Sequence, residues 1–277
     1  MLSRNSYAFD ASSSSFDMKK SPCSPASIKQ PPIRLGFTLV ELLVVISIIG
    51  ILATLAIPAA SRWVEAGKSS KCISNLRQCG VAMRTYAAEN NGVIVMIQNG
   101  TSQTSWGAVL FAGGYLRDPN VMLCPSRAPF KANSSSFSNL NSTAISSIYG
   151  ASLDDIDRYT EGTSSPVVRK LKVNIIDKPS EYILLGDSML GSPGSSSSST
   201  SPQRHVIRRQ DGGSSGYFQL RHGSKGNVIM ADGSCKTLDA AEYARLRREM
   251  YALTGASGAS NAPVVAFDQL GTSTNIP

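Results

Sequence analysis

Three residues in the C-terminal half of the chain have types and spacing suited to metal binding. Asp187 follows the run Ile-Leu-Leu-Gly, His222 lies in Arg-His-Gly, and Asp232 lies in Ala-Asp-Gly. Carboxylates suit Ca²⁺, whereas an imidazole beside them suits Zn²⁺. The Asp-Gly pair also indicates a hairpin turn, to which His222 would only hydrogen-bond. The sequence favours this turn, with a Ca²⁺ or Zn²⁺ site as the alternative and no other cofactor expected.

Four cysteines after residue 36 are the second set of reactive candidates: Cys72, Cys79, Cys124 and Cys235. In a helix, the seven-residue spacing of Cys72 and Cys79 corresponds to about 10.5 Å, beyond the roughly 7 Å limit for a disulfide. If all four form disulfides, each of these two must therefore reach Cys124 or Cys235. Alternatively, both are small apolar residues of one helix face. The sequence leaves both interpretations open.

An uncharged run at residues 42–61 is the strongest structural signal in the chain. As a helix it would span about 30 Å, the thickness of the hydrocarbon core of a bilayer. We therefore expect a single transmembrane helix at residues 37–61 in the cytoplasmic (inner) membrane. The positive charges lie on the N-terminal side of this run, so residues 1–36 are expected in the cytoplasm and everything after Arg62 on the periplasmic or extracellular side.

The helix is predicted to continue through residues 62–92 with one apolar stripe. Cys72, Leu76, Cys79 and Met83 are spaced by four and three residues, and Asn90-Asn91-Gly92 supplies a stop. The fold class is therefore α+β, with a long N-terminal helix packed on a small antiparallel-sheet head at residues 93–253. Residues 254–277 are small and polar and are predicted to be loosely ordered.

The head is predicted to contain short strands, two further helices and Ser-rich loops. The strands are expected at Val93–Ile97, Lys172–Ile176, Tyr182–Leu185, Tyr217–Arg221, Asn227–Ala231 and Cys235–Leu238, the helices at Trp106–Ala112 and Asp239–Tyr251, and the loops near 133–147 and 192–202.

Composition and motifs argue against several functions. The net charge is +8, but the basic residues are spread thinly, so no nucleic-acid partner is expected. Neither G-x-S-x-G nor H-E-x-x-H occurs in the sequence. No catalytic residue is predicted, and we do not expect an enzyme.

Residues 34–41 read Arg-Leu-Gly-Phe-Thr-Leu-Val-Glu. This segment resembles the cleavage and methylation motif of type IV prepilins and type II secretion pseudopilins. The resemblance implies that a prepilin peptidase cuts after Gly36, removes the leader 1–36 and methylates the new N-terminus at Phe37. It also implies that Glu41 neutralises the Phe37 amine of a neighbouring subunit. The stretch between Gly50 and Pro58 corresponds to the part of the pilin helix that loses regular structure in filaments.

The later motifs Cys124-Pro125 and His222-x9-Asp232-Gly233 resemble those of one branch of prepilin-like proteins. The implied function is a structural subunit of a type II secretion pseudopilus or a type IV pilus-like filament. The implied partners are the prepilin peptidase/methyltransferase, other pilin or pseudopilin subunits, an inner-membrane assembly platform and membrane lipid. The alternative is a membrane-anchored ligand-binding protein or adhesin with a pilin-like head.

Overall fold

In a computed structural model of the chain, residues 36–99, 104–126, 148–152, 160–164, 167–191, 203–204, 206–207, 215–254, 264–268 and 272–276 are described. The chain divides between Leu52 and Ala53 into two units. The leader 1–35 and the Ser-rich loops predicted near 133–147 and 192–202 lie outside the described residues.

Helix α1 (Leu39–Glu89) has 51 residues and confirms the prediction of one long helix. It begins with a capping box, in which the Thr38 backbone N–H donates to Glu41 Oε2 at 2.9 Å and the Glu41 N–H donates to Thr38 Oγ1 at 3.2 Å. It ends because Asn91 and Gly92 adopt left-handed conformations, with φ of 56° and 78°. The Gly92 N–H then donates to the carbonyl of Ala87.

The apolar side chains of the first half of α1 are exposed. Leu39 is 87 % exposed, Ile51 64 % and Ile57 70 %. Within the described part of the chain, no helix is both long and apolar enough to cross a membrane. The transmembrane segment predicted at residues 37–61 is therefore not supported by the structure.

The second half of α1 has the predicted apolar stripe. Cys72, Leu76, Cys79 and Met83 are completely buried, whereas Val81 on another face is 61 % exposed. The stripe belongs to the same core as the sheet residues of the head. This part of the helix is therefore packed on the head, as the periodicity predicts.

Three sheets form the described part of the head. The first sheet has the strand order β2 (Thr104–Ser105), β1 (Val93–Asn99), β5 (Val167–Lys172), β4 (Thr160–Ser164). The second sheet has the strand order β11 (Cys235–Leu238), β10 (Gly226–Met230), β6 (Ile183–Gly186), β3 (Gly150–Ser152), β8 (Val206–Ile207). The third sheet has the strand order β13 (Ser273–Ile276), β12 (Val264–Phe267), β9 (Ser215–Gln219), β7 (Ser188–Gly191). Their pairs are antiparallel except β3 with β8 and β12 with β9. The α+β class is confirmed.

Two further helices, α2 (Trp106–Ala112) and α3 (Ala240–Thr254), correspond to the predicted helices. The strand predicted at Lys172–Ile176 is wrong, since β5 ends at Lys172 and Val173–Ile175 forms a 3-10 helix. The Val173 N–H donates to the carbonyl of Gly92, so the chain turns at this point instead of extending the sheet.

The prediction of a loosely ordered tail is also wrong for the described tail residues 264–268 and 272–276. Strand β12 lies in the tail and pairs in parallel with β9, and β13 pairs with β12. Val265 and Phe267 are completely buried. The tail therefore completes the third sheet and contributes to its core.

Candidate functional site

Four buried side chains from four separate segments come together in the described part of the head. They are Cys72, Cys124, Asp187 and His222, and their potential ligand atoms all lie within 4.8 Å of one another. Asp187 and Cys72 are completely buried, Cys124 is 1 % exposed and His222 is 8 % exposed. We call these four residues the Cys-Asp-His cluster.

Asp187 lies where the chain passes from the second sheet to the third, between β6 and β7. Its backbone N–H donates to the carbonyl of Asn227, and its carbonyl accepts from the N–H of Gln219. Its Oδ2 accepts a further hydrogen bond from the Asn227 N–H at 2.8 Å. These three bonds attach Asp187 to β10 and β9 and fix the direction of its carboxylate.

His222 is positioned by a tight turn between β9 and β10. The intervening Gly223 and Ser224 have φ of 60° and 64°, and His222 and Lys225 exchange two backbone hydrogen bonds. This is the geometry of a two-residue hairpin turn, for which two positive φ angles are required. The turn directs the imidazole into the cluster.

The two cysteines reach the cluster from α1 and from the segment after the 3-10 helix Pro119–Met122. Cys72 lies on the buried stripe of α1, and its sulfur accepts a hydrogen bond from the Tyr149 hydroxyl at 3.2 Å. The Cys124 N–H donates to Gln203 Oε1 at 3.0 Å. Both thiols are free.

The contacts inside the cluster link its members. Cys72 Sγ lies 3.4 Å from Asp187 Oδ1, and Cys124 Sγ lies 3.4 Å from His222 Nε2. His222 Nε2 is also 3.4 Å from Asp187 Oδ2. The two thiols, the imidazole and the carboxylate therefore face a common centre.

Three further polar residues surround the cluster. Glu65 Oε1 lies 3.1 Å from His222 Nδ1 and accepts a hydrogen bond from the Ser126 hydroxyl at 2.8 Å. The buried Arg221 places its Nε 3.9 Å from Asp187 Oδ1. The outer nitrogen of the imidazole thus has a carboxylate partner, and the Asp187 carboxylate has a cationic neighbour.

The electrostatics of the cluster favour the charged forms of His222, Cys124 and Asp187 despite their burial, but not that of Cys72. Burial opposes ionisation, but hydrogen bonds to Asp187 and Cys124 raise the pKa of His222 to about 10. Burial also opposes the Cys124 thiolate, yet the hydrogen bond from Cys72 and the charge of Arg221 hold the pKa of Cys124 below its usual range. The pKa of Asp187 is likewise lowered, against its burial, by His222 and Arg221. Burial raises the pKa of Cys72.

The structure brings together two of the three metal candidates predicted from sequence. Asp187 and His222 are in contact, but Asp232 is not part of the cluster. Its Oδ1 accepts from the Ser234 N–H at 2.8 Å, and Gly233 has φ of 89°. Asp232 therefore belongs to the turn between β10 and β11, as the alternative interpretation of Ala-Asp-Gly predicts.

The cysteines divide into two groups. Cys72 and Cys124 are in the cluster, whereas Cys79 Sγ lies 3.5 Å from the carbonyl of Val121 and Cys235 Sγ lies 4.0 Å from that of Ile73. All four are free. The interpretation of Cys79 as a small apolar residue of the helix stripe agrees with its complete burial.

Glu65, Ser126 and Arg221 are not among the residues predicted from the sequence to form a site. Each of them nevertheless has a position in the sequence that relates it to a cluster residue. Glu65 precedes Cys72 by seven residues, two helical turns, so both lie on one face of α1. Ser126 and Arg221 lie within two residues of cluster members.

A groove of about 910 Å³ lies elsewhere on the described head. It follows α1 beside the segment after α2, and its polar lining includes Arg77, Glu89, Tyr115 and Arg117. The Tyr115 hydroxyl donates to the Glu89 carboxylate across it. None of the four cluster residues lines this groove.

The residues of the predicted processing site lie at the start of α1. A side chain at Gly36 would have no neighbour within 4 Å. Phe37 is 79 % exposed, and Glu41 is exposed while its Oε2 accepts two hydrogen bonds from Thr38. This segment is thus accessible, and its acidic residue caps the helix.

Comparisons with known proteins match this N-terminal segment. The prokaryotic N-terminal methylation motif matches residues 33–57. Over 60 residues the chain is 38 % identical to the type IV major pilin protein PilA of Myxococcus xanthus. This match covers 22 % of the chain and 27 % of the pilin, so the chain spans about a quarter of the length of this relative. No solved structure is significantly similar to the chain. The protein thus carries a prokaryotic N-terminal methylation motif and a stretch of sequence similar to a type IV pilin.

Proposed function

We propose that this protein is a pilin-like subunit that assembles into a filament through its N-terminal helix after removal of residues 1–36. The observation that carries the proposal is a methylation motif continuous with an exposed apolar helix surface. Soluble monomers rarely leave large apolar patches uncovered, and such patches mark interaction sites. The first half of α1 therefore requires other subunits, or lipid, to cover it.

Glu41 has a defined part in this assembly. In the single chain its carboxylate is exposed and forms a capping box with Thr38. Cleavage after Gly36 would create an amine at Phe37. In a packed bundle of apolar helices, an unpaired carboxylate or amine is costly, so the Glu41 of one subunit would pair with the Phe37 amine of the next.

The proposed role is structural rather than enzymatic. Cys124 and His222 contact each other as a nucleophile and base would. However, Cys124 is 1 % exposed, and a nucleophile must reach its substrate. This burial supports a role in holding the head together.

Before assembly, we propose that the apolar stretch of α1 anchors the precursor in the cytoplasmic membrane with the head on the periplasmic side. A prepilin peptidase/methyltransferase would process it there, and an assembly platform would add it to the filament. We further propose that the filament is a pseudopilus of a type II secretion-like system. The protein would belong to the branch of prepilin-like proteins with the motif His222-x9-Asp232-Gly233. The methylation motif and the similarity to a type IV pilin support the processing step.

Mass spectrometry of the protein isolated from its native host tests the central step. We expect a mature chain that begins with N-methylated Phe37. An intact N-terminus, or cleavage after Ala60 as in a secretory signal peptide, would contradict the proposal. An uncleaved chain together with ligand capture by the groove would favour the ligand-binding alternative.

A second experiment separates the two roles of Glu41. Glu41→Ala removes the carboxylate half of the capping box and also the partner of the Phe37 amine, whereas the control Thr38→Ala removes only the hydroxyl half of the capping box. Loss of a cap costs about 0.5–2 kcal/mol. We expect Glu41→Ala to be absent from sheared filaments and Thr38→Ala to be retained. Equal losses would show that Glu41 acts only through the cap.

A further inference from the structure

We propose that the Cys-Asp-His cluster is a structural zinc site that fastens the second half of α1 to the second and third sheets. The proposal is independent of filament assembly. Its ligands would be Cys72 from α1, Cys124 from the segment after the 3-10 helix, Asp187 from the β6–β7 junction and His222 from the β9–β10 turn.

The spacing of the donor atoms fits tetrahedral zinc. With zinc bonds of about 2.3 Å to sulfur and about 2.0–2.2 Å to nitrogen and oxygen, ligands at tetrahedral angles lie about 3.4–3.6 Å apart. The Cys72–Asp187, Cys124–His222 and His222–Asp187 contacts are each 3.4 Å. These three contacts, which involve both carboxylate oxygens of Asp187, already have the required separations. The four donor atoms all lie within 4.8 Å of one another, so zinc binding would draw the remaining pairs closer together.

The donor types select the metal. Two soft thiolates and one imidazole suit Zn²⁺, and zinc also accepts a carboxylate oxygen as a ligand. Ca²⁺ requires six to eight oxygen ligands, whereas the cluster offers only the Asp187 carboxylate. Complete burial of Asp187 and Cys72 also matches structural sites, which leave no coordination position open to solvent.

The residues around the cluster supply the outer contacts that zinc ligands require. A zinc-bound histidine normally donates its other ring N–H to a carboxylate or carbonyl. Glu65 Oε1 lies 3.1 Å from His222 Nδ1 and is suited to this role. Asp187 Oδ2 is fixed by the Asn227 N–H at 2.8 Å. His222 and Asp187 are therefore both oriented by residues outside the cluster.

The charges of the buried groups also balance, because the Glu65 carboxylate beside His222 is partly exposed and lies 3.6 Å from Lys68 Nζ. Zn²⁺ with two thiolates and one carboxylate carries a net charge of −1. Arg221 is buried with its Nε 3.9 Å from Asp187 Oδ1, so its guanidinium brings the buried group to neutrality. Neutrality matters because an uncompensated charge in the interior is strongly destabilising. On binding, His222 Nε2 and each coordinating thiol that still carries a proton would release it to solvent, and zinc–nitrogen and zinc–sulfur bonds would form without any oxidation or reduction.

The test uses the full-length chain purified in detergent without chelators and analysed for bound metal by plasma mass spectrometry. We expect one zinc per chain in the wild type and in Cys79→Ser, Cys235→Ser and Asp232→Asn. These controls remove the same residue types outside the cluster. Cys124→Ser and His222→Gln should lower the zinc content at least about tenfold, and Glu65→Gln should weaken affinity about 10- to 100-fold.

A spectroscopic measurement keeps the test independent of whether a variant folds. Co²⁺ added to the chelator-treated wild-type chain should give thiolate charge-transfer absorption and the visible bands of a tetrahedral site. Absence of zinc and of these bands would overturn the proposal, as would a disulfide between Cys72 and Cys124 in the isolated protein. Equal loss of zinc in the control variants would overturn it too.

Discussion

The packing of α1 on the head leads to a quantitative prediction for Leu76→Ala. Leu76 is completely buried in the apolar stripe and belongs to the main core. Truncating a buried leucine costs about 2.7–5.0 kcal/mol, depending on how far the cavity collapses. For a domain of about 150–250 residues, each kcal/mol lowers Tm by about 2–4 °C. We therefore expect Tm to fall by roughly 5–20 °C.

The matched control is Val81→Ala on the same helix. Val81 is 61 % exposed, so its truncation should change stability by no more than about 0.5 kcal/mol. Thermal unfolding of both full-length variants can be followed by near-ultraviolet circular dichroism, which reports the packing of the head's aromatic residues. If the two variants melt at the same temperature, the second half of α1 does not dock through this stripe.

Two further substitutions test the sheets. Gly226→Ala would place a Cβ 2.4 Å from Phe218 Cζ and 2.6 Å from the Gln219 carbonyl oxygen. We expect the free energy of unfolding, measured in a denaturant titration, to fall by about 1–3 kcal/mol. The control Gly67→Ala should not destabilise the protein, because its new side chain would have no neighbour within 4 Å. Similar losses in the two variants would contradict this prediction. Phe267→Ala should cost about 3–5 kcal/mol because the ring is completely buried. A neutral result in the same titration would indicate that the tail is loosely ordered after all.

The elements that the sequence predicts well are those specified by local patterns. The three- and four-residue spacing of apolar side chains identifies the buried stripe of α1, and the predicted bounds of Trp106–Ala112 and Cys235–Leu238 agree with the structure. The tail was predicted wrongly because Val264–Phe267 is a run of only four apolar residues among small and polar ones. Its strand conformation depends on parallel pairing with β9, which is distant in sequence.

The candidate site also contains one part that local sequence specifies and one part that depends on long-range packing. Asp232 stays in its turn because the Asp-Gly pair specifies a hairpin locally. Residue type alone marks Asp187 and His222 as candidate ligands, and Cys72 and Cys124 as candidate reactive cysteines. Their meeting requires α1 to pack across two sheets, a long-range arrangement that residue spacing along the chain does not contain.

The position of the cluster relates the two proposals. Glu65 and Cys72 lie two turns apart on α1. A zinc ion would bind Cys72 directly and would hold Glu65 through the hydrogen bond between His222 and Glu65. A ligand that binds only the folded state stabilises it by about 4.1 kcal/mol at a concentration of 1,000 Kd. In a filament held together by N-terminal helices, any force on the head is transmitted through the second half of α1. A metal site there would resist separation of the helix from the sheets, in addition to the apolar stripe.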